Sequence, residues 1–407
     1  MKWEIAKLGD ISKNIQTGPF GSQLHQSDYS ECGIPVVMPK DLVGGKISEE
    51  SIARVDKTHV ERLCRHKIEV GDILYSRRGD VGRCAHVTKK EEGWLCGTGC
   101  LRVTIDSEKA DSRFVFFQLQ HPDTVGWVEK HAVGATMLNL NTTILSSVPI
   151  RLPALEIQKR IADILSAYDD LIENNQKQIK LLEEAARRLY KEWFVNLRFP
   201  GHENTKIVDG VPEGWRVASI ADICDTVGGG TPSTKIQSYY EKGDILWVTP
   251  TDITRNFSLA LLDTEKKITP EGLKNSSAKM LPAETILMTS RASVGFFGMC
   301  KYEVCTNQGF ISCIPKRENL QMYLLFNLKS RVEEIRQKAG GSTYLEISKT
   351  VFRELKIILP KDEVLAEYQK NVHDIFDEIY CRTEMIKSLV DMRNRLLPKL
   401  MSGEVEV

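Results

Sequence analysis

The residue types that make and break covalent bonds are all present in this chain, but not in spacings that would let them act. No Pro-Pro dipeptide occurs, so the Asn-Pro-Pro-aromatic loop that grips an extruded adenine in amino-methyltransferases is missing. No Gly-x-x-x-x-Gly-Lys-Ser/Thr loop exists to wrap a nucleoside triphosphate. The eight histidines form no His-x-x-x-His pair, and the ten cysteines form no Cys-x-x-Cys pair. Their closest spacings, Cys96/Cys100 and Cys300/Cys305, are wrong for zinc. Glu346-Ile347-Ser348-Lys349 has the superficial spacing of a carboxylate–lysine nuclease cluster, but Leu345 and Ile347 read as core residues. The expectation is a chain with no catalytic residues and no metal ligands of its own.

What the spacing does offer is binding chemistry, at matched places in the two halves. Ser76-Arg77-Arg78-Gly79 and Ser290-Arg291-Ala292 each follow an apolar run and each lead to Val-Gly. A guanidinium fork there suits guanine O6 and N7, or equally a neighbouring carboxylate. Arg83 and Arg102 are weaker donors of the same kind. Lys40 and Thr251 also follow apolar runs at equivalent places and suit a phosphate or a base edge, while Asp41 and Asp252 beside them suit turn or helix caps. Gly18–Ser22 and Gly228–Ser233 are glycine-rich loops, either phosphate cradles or plain turns. Ser22, Gln23, Thr231, Ser233 and Tyr239 lie in or near them. Gly134-Ala135-Thr136 and Gly340-Gly341-Ser342-Thr343 form a further loop pair.

These loops recur because the chain is duplicated. Trp3 matches Trp215, Ile34–Leu42 matches Ile245–Ile253, and Ile73–Gly82 matches Ile286–Gly295. Phe114–Leu119 matches Tyr323–Leu328, and Gly134–Leu138 matches Gly341–Leu345, in the same order. Within each half, Ile34–Met38, Asp72–Ser76, Leu101–Ile105, Ile245–Val248 and Phe310–Ile314 read as strands. A proline, Pro153 or Pro360, then opens a long helix. Ile157, Ile161, Ile164, Tyr168 and Leu171, and later Val372, Ile375, Ile379, Arg382 and Ile386, step by threes and fours as a coiled-coil seam. The repeat offset drops by four residues between Gln158/Gln369 and Ile179/Ile386. The first helix therefore carries about 6 Å more length, with a stutter at Asn175 that either fixes register or faces solvent. The fold expected is α/β (α+β) with internal duplication: two globular domains and two long antiparallel helices. The expected boundaries are a first domain over residues 1–151, a helix over 152–198 and a linker over 199–212. A second domain over 213–359 and a helix over 360–407 complete the chain.

At 407 residues the chain exceeds one compact core, and its 55 basic residues balance 55 acidic ones, so charge for nucleic acid must be local. The N-terminus has no signal-peptide h-region and no apolar run is long enough for a membrane span, which points to the cytoplasm.

The whole chain resembles the specificity subunits of Type I restriction–modification systems. The resemblance rests on Thr17-Gly18-Pro19-Phe20-Gly21-Ser22, Gly229-Gly230-Thr231-Pro232-Ser233, Leu189–Val195 and Leu396–Gly403, in this order on a duplicated chain. It implies two target-recognition domains that read an asymmetric bipartite DNA site with a fixed spacer. It implies helices that dock two adenine-N6 methyltransferase subunits, with motor–nuclease subunits in the full complex. S-adenosylmethionine, ATP and magnesium would then sit on the partner subunits. On this reading Ser22, Gln23, Lys40, Arg77, Arg78, Arg83, Thr136, Thr231, Ser233, Tyr239, Thr251, Ser290, Arg291 and Thr343 are DNA contacts. Arg187, Trp193, Phe194, Leu396 and Leu400, at the helix ends, are partner contacts or core. The alternatives are a differently organised restriction–methylation enzyme served by the same kind of subunit, and a coiled-coil scaffold without DNA.

Overall fold

The computed structural model describes residues 3–134, 138–341 and 344–407; Thr136 and Thr343 lie outside the described residues. The chain forms two compact units, one of Met1–Leu171 with Leu389–Val407, the other of Ile172–Ser388.

In the first unit, Cys100–Ile105 is the central strand of an antiparallel sheet. It pairs with Ser12–Thr17 on one side and with Ile73–Ser76 on the other, and Cys84–His86 closes the edge. Leu101, Val103 and Ile105 alternate into the core, which is why this run forms a half-buried strand rather than a helix. A second sheet sets Ile34–Val37 parallel to Leu95–Cys96. The second unit repeats the plan. Phe310–Pro315 lies between Cys224–Val227 and Ile286–Thr289, and Ile245–Val248 runs parallel to Cys305–Thr306. After the central strand comes a short helix, Ser112–Gln120 or Gln321–Ser330, buried along most of its length. Asp111 caps the first of these, accepting from the Arg113 and Phe114 N–H groups.

The long helices run over Leu155–Tyr190 and Asp362–Ser402, and the first ends in a wide turn, Lys191–Val195. Each is shared between the units instead of forming a segment of its own. In the first unit, Ile161, Ala162 and Leu165 share a core with Leu397, Leu400 and Met401, and Arg393 pairs with Asp169. In the second, Asn175 accepts from Arg382 at 3.2 Å and the Tyr190 ring packs on Tyr368. Within each unit, residue numbers rise on one helix as they fall on the other, so the pairing is antiparallel. Asn175 is buried rather than turned to solvent.

The duplication extends to single side chains. The Gln158 carboxamide accepts from the Asp111 N–H at 3.0 Å, and Gln369 accepts from Met322 at 2.9 Å. Gln118 donates to the Met401 carbonyl, and Asn327 donates to the Tyr190 hydroxyl. What differs is the filling. The second unit packs Trp193 and Phe194 against Tyr323, Tyr368 and Trp215, while the first uses Leu397, Leu400 and Met401.

The sequence left the five residues at the helix ends as partner contacts or core, and four of these five side chains pack within their own units. Trp193 is 8% exposed and Leu400 1%, while Phe194 and Leu396 are half-buried in their own units' cores. Full burial of such a side chain stabilises a unit by about 1.5–3 kcal/mol. Arg187 is exposed but bound to Glu184 at 2.9 Å.

Candidate nucleic-acid interface

In each unit the matched loops leave the same end of the sheets. The strands Ser12–Thr17, Ile34–Val37, Ile73–Ser76 and Leu95–Cys96 all finish there, and Cys100 starts there. Backbone hydrogen bonds then stitch the loops together: Gly18 N–H to the Cys100 carbonyl (2.9 Å), Gly97 to Val37 (2.9 Å) and Arg77 to Gly99 (2.8 Å). The Thr98 hydroxyl adds a bond to the Pro19 carbonyl at 2.9 Å. The second unit uses Gly230 to Thr306 (2.9 Å), Asn307 to Val248 (3.0 Å) and Ser290 to Gly309 (2.8 Å). Thr231 bonds Gln308 in place of the Thr98 contact. A Cβ at Gly18 would run into the Gly97 carbonyl, and one at Gly229 into the Thr306 and Asn307 carbonyls. These two glycines are required by close backbone approach.

The structure therefore gathers Ser22, Gln23, Lys40, Arg77 and Arg78 on one loop surface, and Thr231, Ser233, Thr251 and Arg291 on the other. Their states differ. Gln23 is occupied within its loop, accepting from Phe20 N–H at 3.1 Å. The Lys40 ammonium donates to the Ser51 carbonyl at 2.7 Å. Arg83 is engaged by Asp80 at 2.6 Å, and Arg102 lies half-buried with Asp72 at 3.7 Å. Arg77 is half-buried, and among the described residues its Nε has no partner. Arg78 is exposed, and among the described residues no carboxylate pairs with it. Ser290 is 3% exposed, so its hydroxyl is not displayed, whereas Arg291 is 47% exposed. Tyr239 is half-buried, and its carbonyl accepts from Thr269. Ser22, Thr231, Ser233 and Thr251 are exposed.

The two Asp residues are turn caps. Met38 N–H donates to Asp41 at 2.8 Å, and Thr249 N–H to Asp252 at 2.8 Å. Burial raises the Asp41 carboxyl above its ordinary value despite the Met38 bond. A Cβ added at Gly21 or Gly79 would meet nothing within 4 Å among the described residues.

Several contributing residues carry little signal of their own. Tyr240, beside Tyr239, holds the Pro232 carbonyl through its hydroxyl at 2.6 Å, and Trp247 Nε1 holds the Gly230 carbonyl at 3.0 Å. Asn139 and Glu346 form backbone bridges to Arg78 and Arg291. The sequence match Gly134–Leu138 with Gly341–Leu345 stops one residue short of them. Leu345, expected in the core, is 38% exposed, and Ile347 is buried at 2%. Ser348 caps the short helix Lys349–Arg353.

One group of metal-ligating types is gathered away from these loops. His373 Nε2 lies 3.0 Å from Glu284, and its Nδ1 lies 3.4 Å from Asp377. Lys301 sits 2.6 Å from the same Asp377, so the group is knitted as a charge network that clasps the second long helix. Among the described residues, no helix is long and apolar enough to cross a membrane.

The duplication is matched by a family model that covers each half of the chain. The family model for the Type I restriction modification DNA specificity domain matches residues 1–184 and 212–390. The chain is 24% identical to the specificity subunit of a Type I restriction enzyme of Haemophilus influenzae, across 99% of each chain. It is 24% identical to a putative Type I specificity subunit of Methanocaldococcus jannaschii, across 100% of this chain and 94% of that one. Its fold is similar to that of the specificity subunit from M. genitalium, with a TM-score of 0.63 at 17% identity over 98% of this chain and 96% of that one. With two matched domains covering most of its length, the chain belongs to the DNA specificity subunits of Type I restriction–modification systems.

Proposed function

We propose that each unit reads one half of an asymmetric bipartite DNA site, and that the chain contributes recognition rather than catalysis. One observation carries the reading: the same hydrogen-bonded loop frame is built twice, with different side chains on it. A shared frame places both surfaces against the same kind of ligand, and different side chains give different base preferences. The partners are double-stranded DNA, two adenine-N6 methyltransferase subunits and, in the full complex, motor–nuclease subunits. S-adenosylmethionine, ATP and magnesium are then bound by those partners, and the target adenine in each half-site is extruded into a methyltransferase pocket. Both long helices contribute residues to both units.

Co-expression with a cognate Type I methyltransferase subunit, followed by single-molecule sequencing for N6-methyladenine, tests the reading. The expected result is one asymmetric motif with two short halves and a constant gap. A soluble complex that leaves DNA unmethylated would refute it.

A further inference from the structure

The Arg loops of the two units share one backbone but face different neighbours. In the first unit, Val133 and Asn139 exchange hydrogen bonds at 3.0 and 2.8 Å. Leu140 N–H donates to the Arg77 carbonyl at 2.8 Å, and Gly79 N–H donates to Leu138 at 3.1 Å. In the second unit, Gly340 and Glu346 exchange bonds at 3.0 and 2.8 Å. Ile347 N–H donates to Ser290 at 3.0 Å, and Ala292 N–H to Leu345 at 2.8 Å. The frames superpose bond for bond, so Arg291 stands where Arg78 stands and Glu346 where Asn139 stands. Even the left-handed backbone recurs, with φ of 75° at Gly79 and 61° at Ala292. Keeping an alanine in that conformation is unfavourable, so the frame is retained against a local cost.

The side chains diverge. Arg78 has no carboxylate partner among the described residues, and the Asn139 Oδ1 is buried. Arg291 Nε lies 3.7 Å from a Glu346 carboxylate oxygen, with the two side chains 47% and 48% exposed. An exposed carboxylate on a surface that meets phosphates is repelled, unless its charge is matched and it has a donor to accept from. Arginine supplies the match. In the major groove the donor suited to a glutamate is the cytosine N4 amino group, and the acceptors suited to an arginine are guanine O6 and N7. A single G·C pair presents both, side by side.

We propose that Arg291 and Glu346 act together as one reader of a G·C pair in the second unit's half-site, Arg291 on the guanine and Glu346 on the cytosine amino group. Arg78 reads a guanine alone in the first unit's half-site. This rests on the DNA-recognition reading above. Glu346 holds the loop frame through its backbone, so the variant Glu346→Gln keeps the frame and removes only the carboxylate.

The test uses the full complex with the methyltransferase subunit on a plasmid library, comparing wild type with Glu346→Gln, Arg291→Ala and Arg78→Ala. Glu346→Gln and Arg291→Ala are expected to relax the same single position of one half-site, with discrimination there falling about tenfold or more. Arg78→Ala is expected to relax a position in the other half-site only. An intact wild-type motif with unchanged variant motifs, or relaxation at different positions, overturns the paired reader and leaves the DNA-recognition reading standing. No motif in the wild type overturns both. If Arg291→Ala fails to assemble, the motif of Glu346→Gln decides.

Discussion

Arg78 shows how much a single side chain can be asked to do. It is exposed, unpaired by carboxylate among the described residues, and flanked by Gly79, where an added Cβ would meet no described residue within 4 Å. Replacing it with alanine is expected to weaken cognate binding by about 1–3 kcal/mol and to loosen one base position. Fluorescence anisotropy on cognate and substituted duplexes measures both; equal losses on every sequence would mark a phosphate contact instead. His86 carries a different prediction. Burial lowers its pKa from the ordinary 6.5 to about 4, and the ring sits beside Phe116 and bonds the Ser112 hydroxyl at 3.0 Å. The folded protein thus holds this ring neutral while the unfolded chain protonates it. Its contribution is present above pH 6.5 and is lost as pH falls toward 4. Between pH 7 and 5 wild type should lose about 1–2 kcal/mol more stability than His86→Gln, read from urea unfolding of both proteins at each pH.

Among elements, the end of the first long helix was the least legible. Leu189–Val195 is plainly apolar, but apolarity alone does not say whether it faces a partner or a core. The wide turn at Lys191–Val195 places Trp193 and Phe194 against Tyr323, Tyr368 and Trp215. Trp193→Ala should cost about 3–5 kcal/mol of stability in the second unit, seen as a lowered thermal midpoint. Methyltransferase binding at low temperature should survive if this side chain is core alone. The strands were easier, because Ile34–Val37, Ile73–Ser76 and Cys100–Ile105 coincide with apolar runs bounded by turn residues. The loops they deliver were legible as positions, not as states. Arg83 and Lys40 have suitable chemistry, but Asp80 and Ser51 already hold them.

For the molecule as a whole, the proposed constant spacer can be tested on the length of the first long helix. Deleting four residues around Asn175 removes about 6 Å of helix and should shorten the preferred spacer by about 1–2 base pairs. The methylation motif of the variant complex reports this directly, and an unchanged gap would separate spacer length from helix length.

The sequence by itself determined the duplication, the strand–loop–helix order, the antiparallel helices and the family, because each is written in periodicity or in blocks repeated in the same order. Tertiary structure decided which side chains remain available. Whether an arginine is free depends on a carboxylate brought near by folding, as Glu346 is to Arg291. Whether an apolar pair is interface or core depends on which rings the turn brings against it. These are contacts between residues distant in sequence, and no local pattern encodes them.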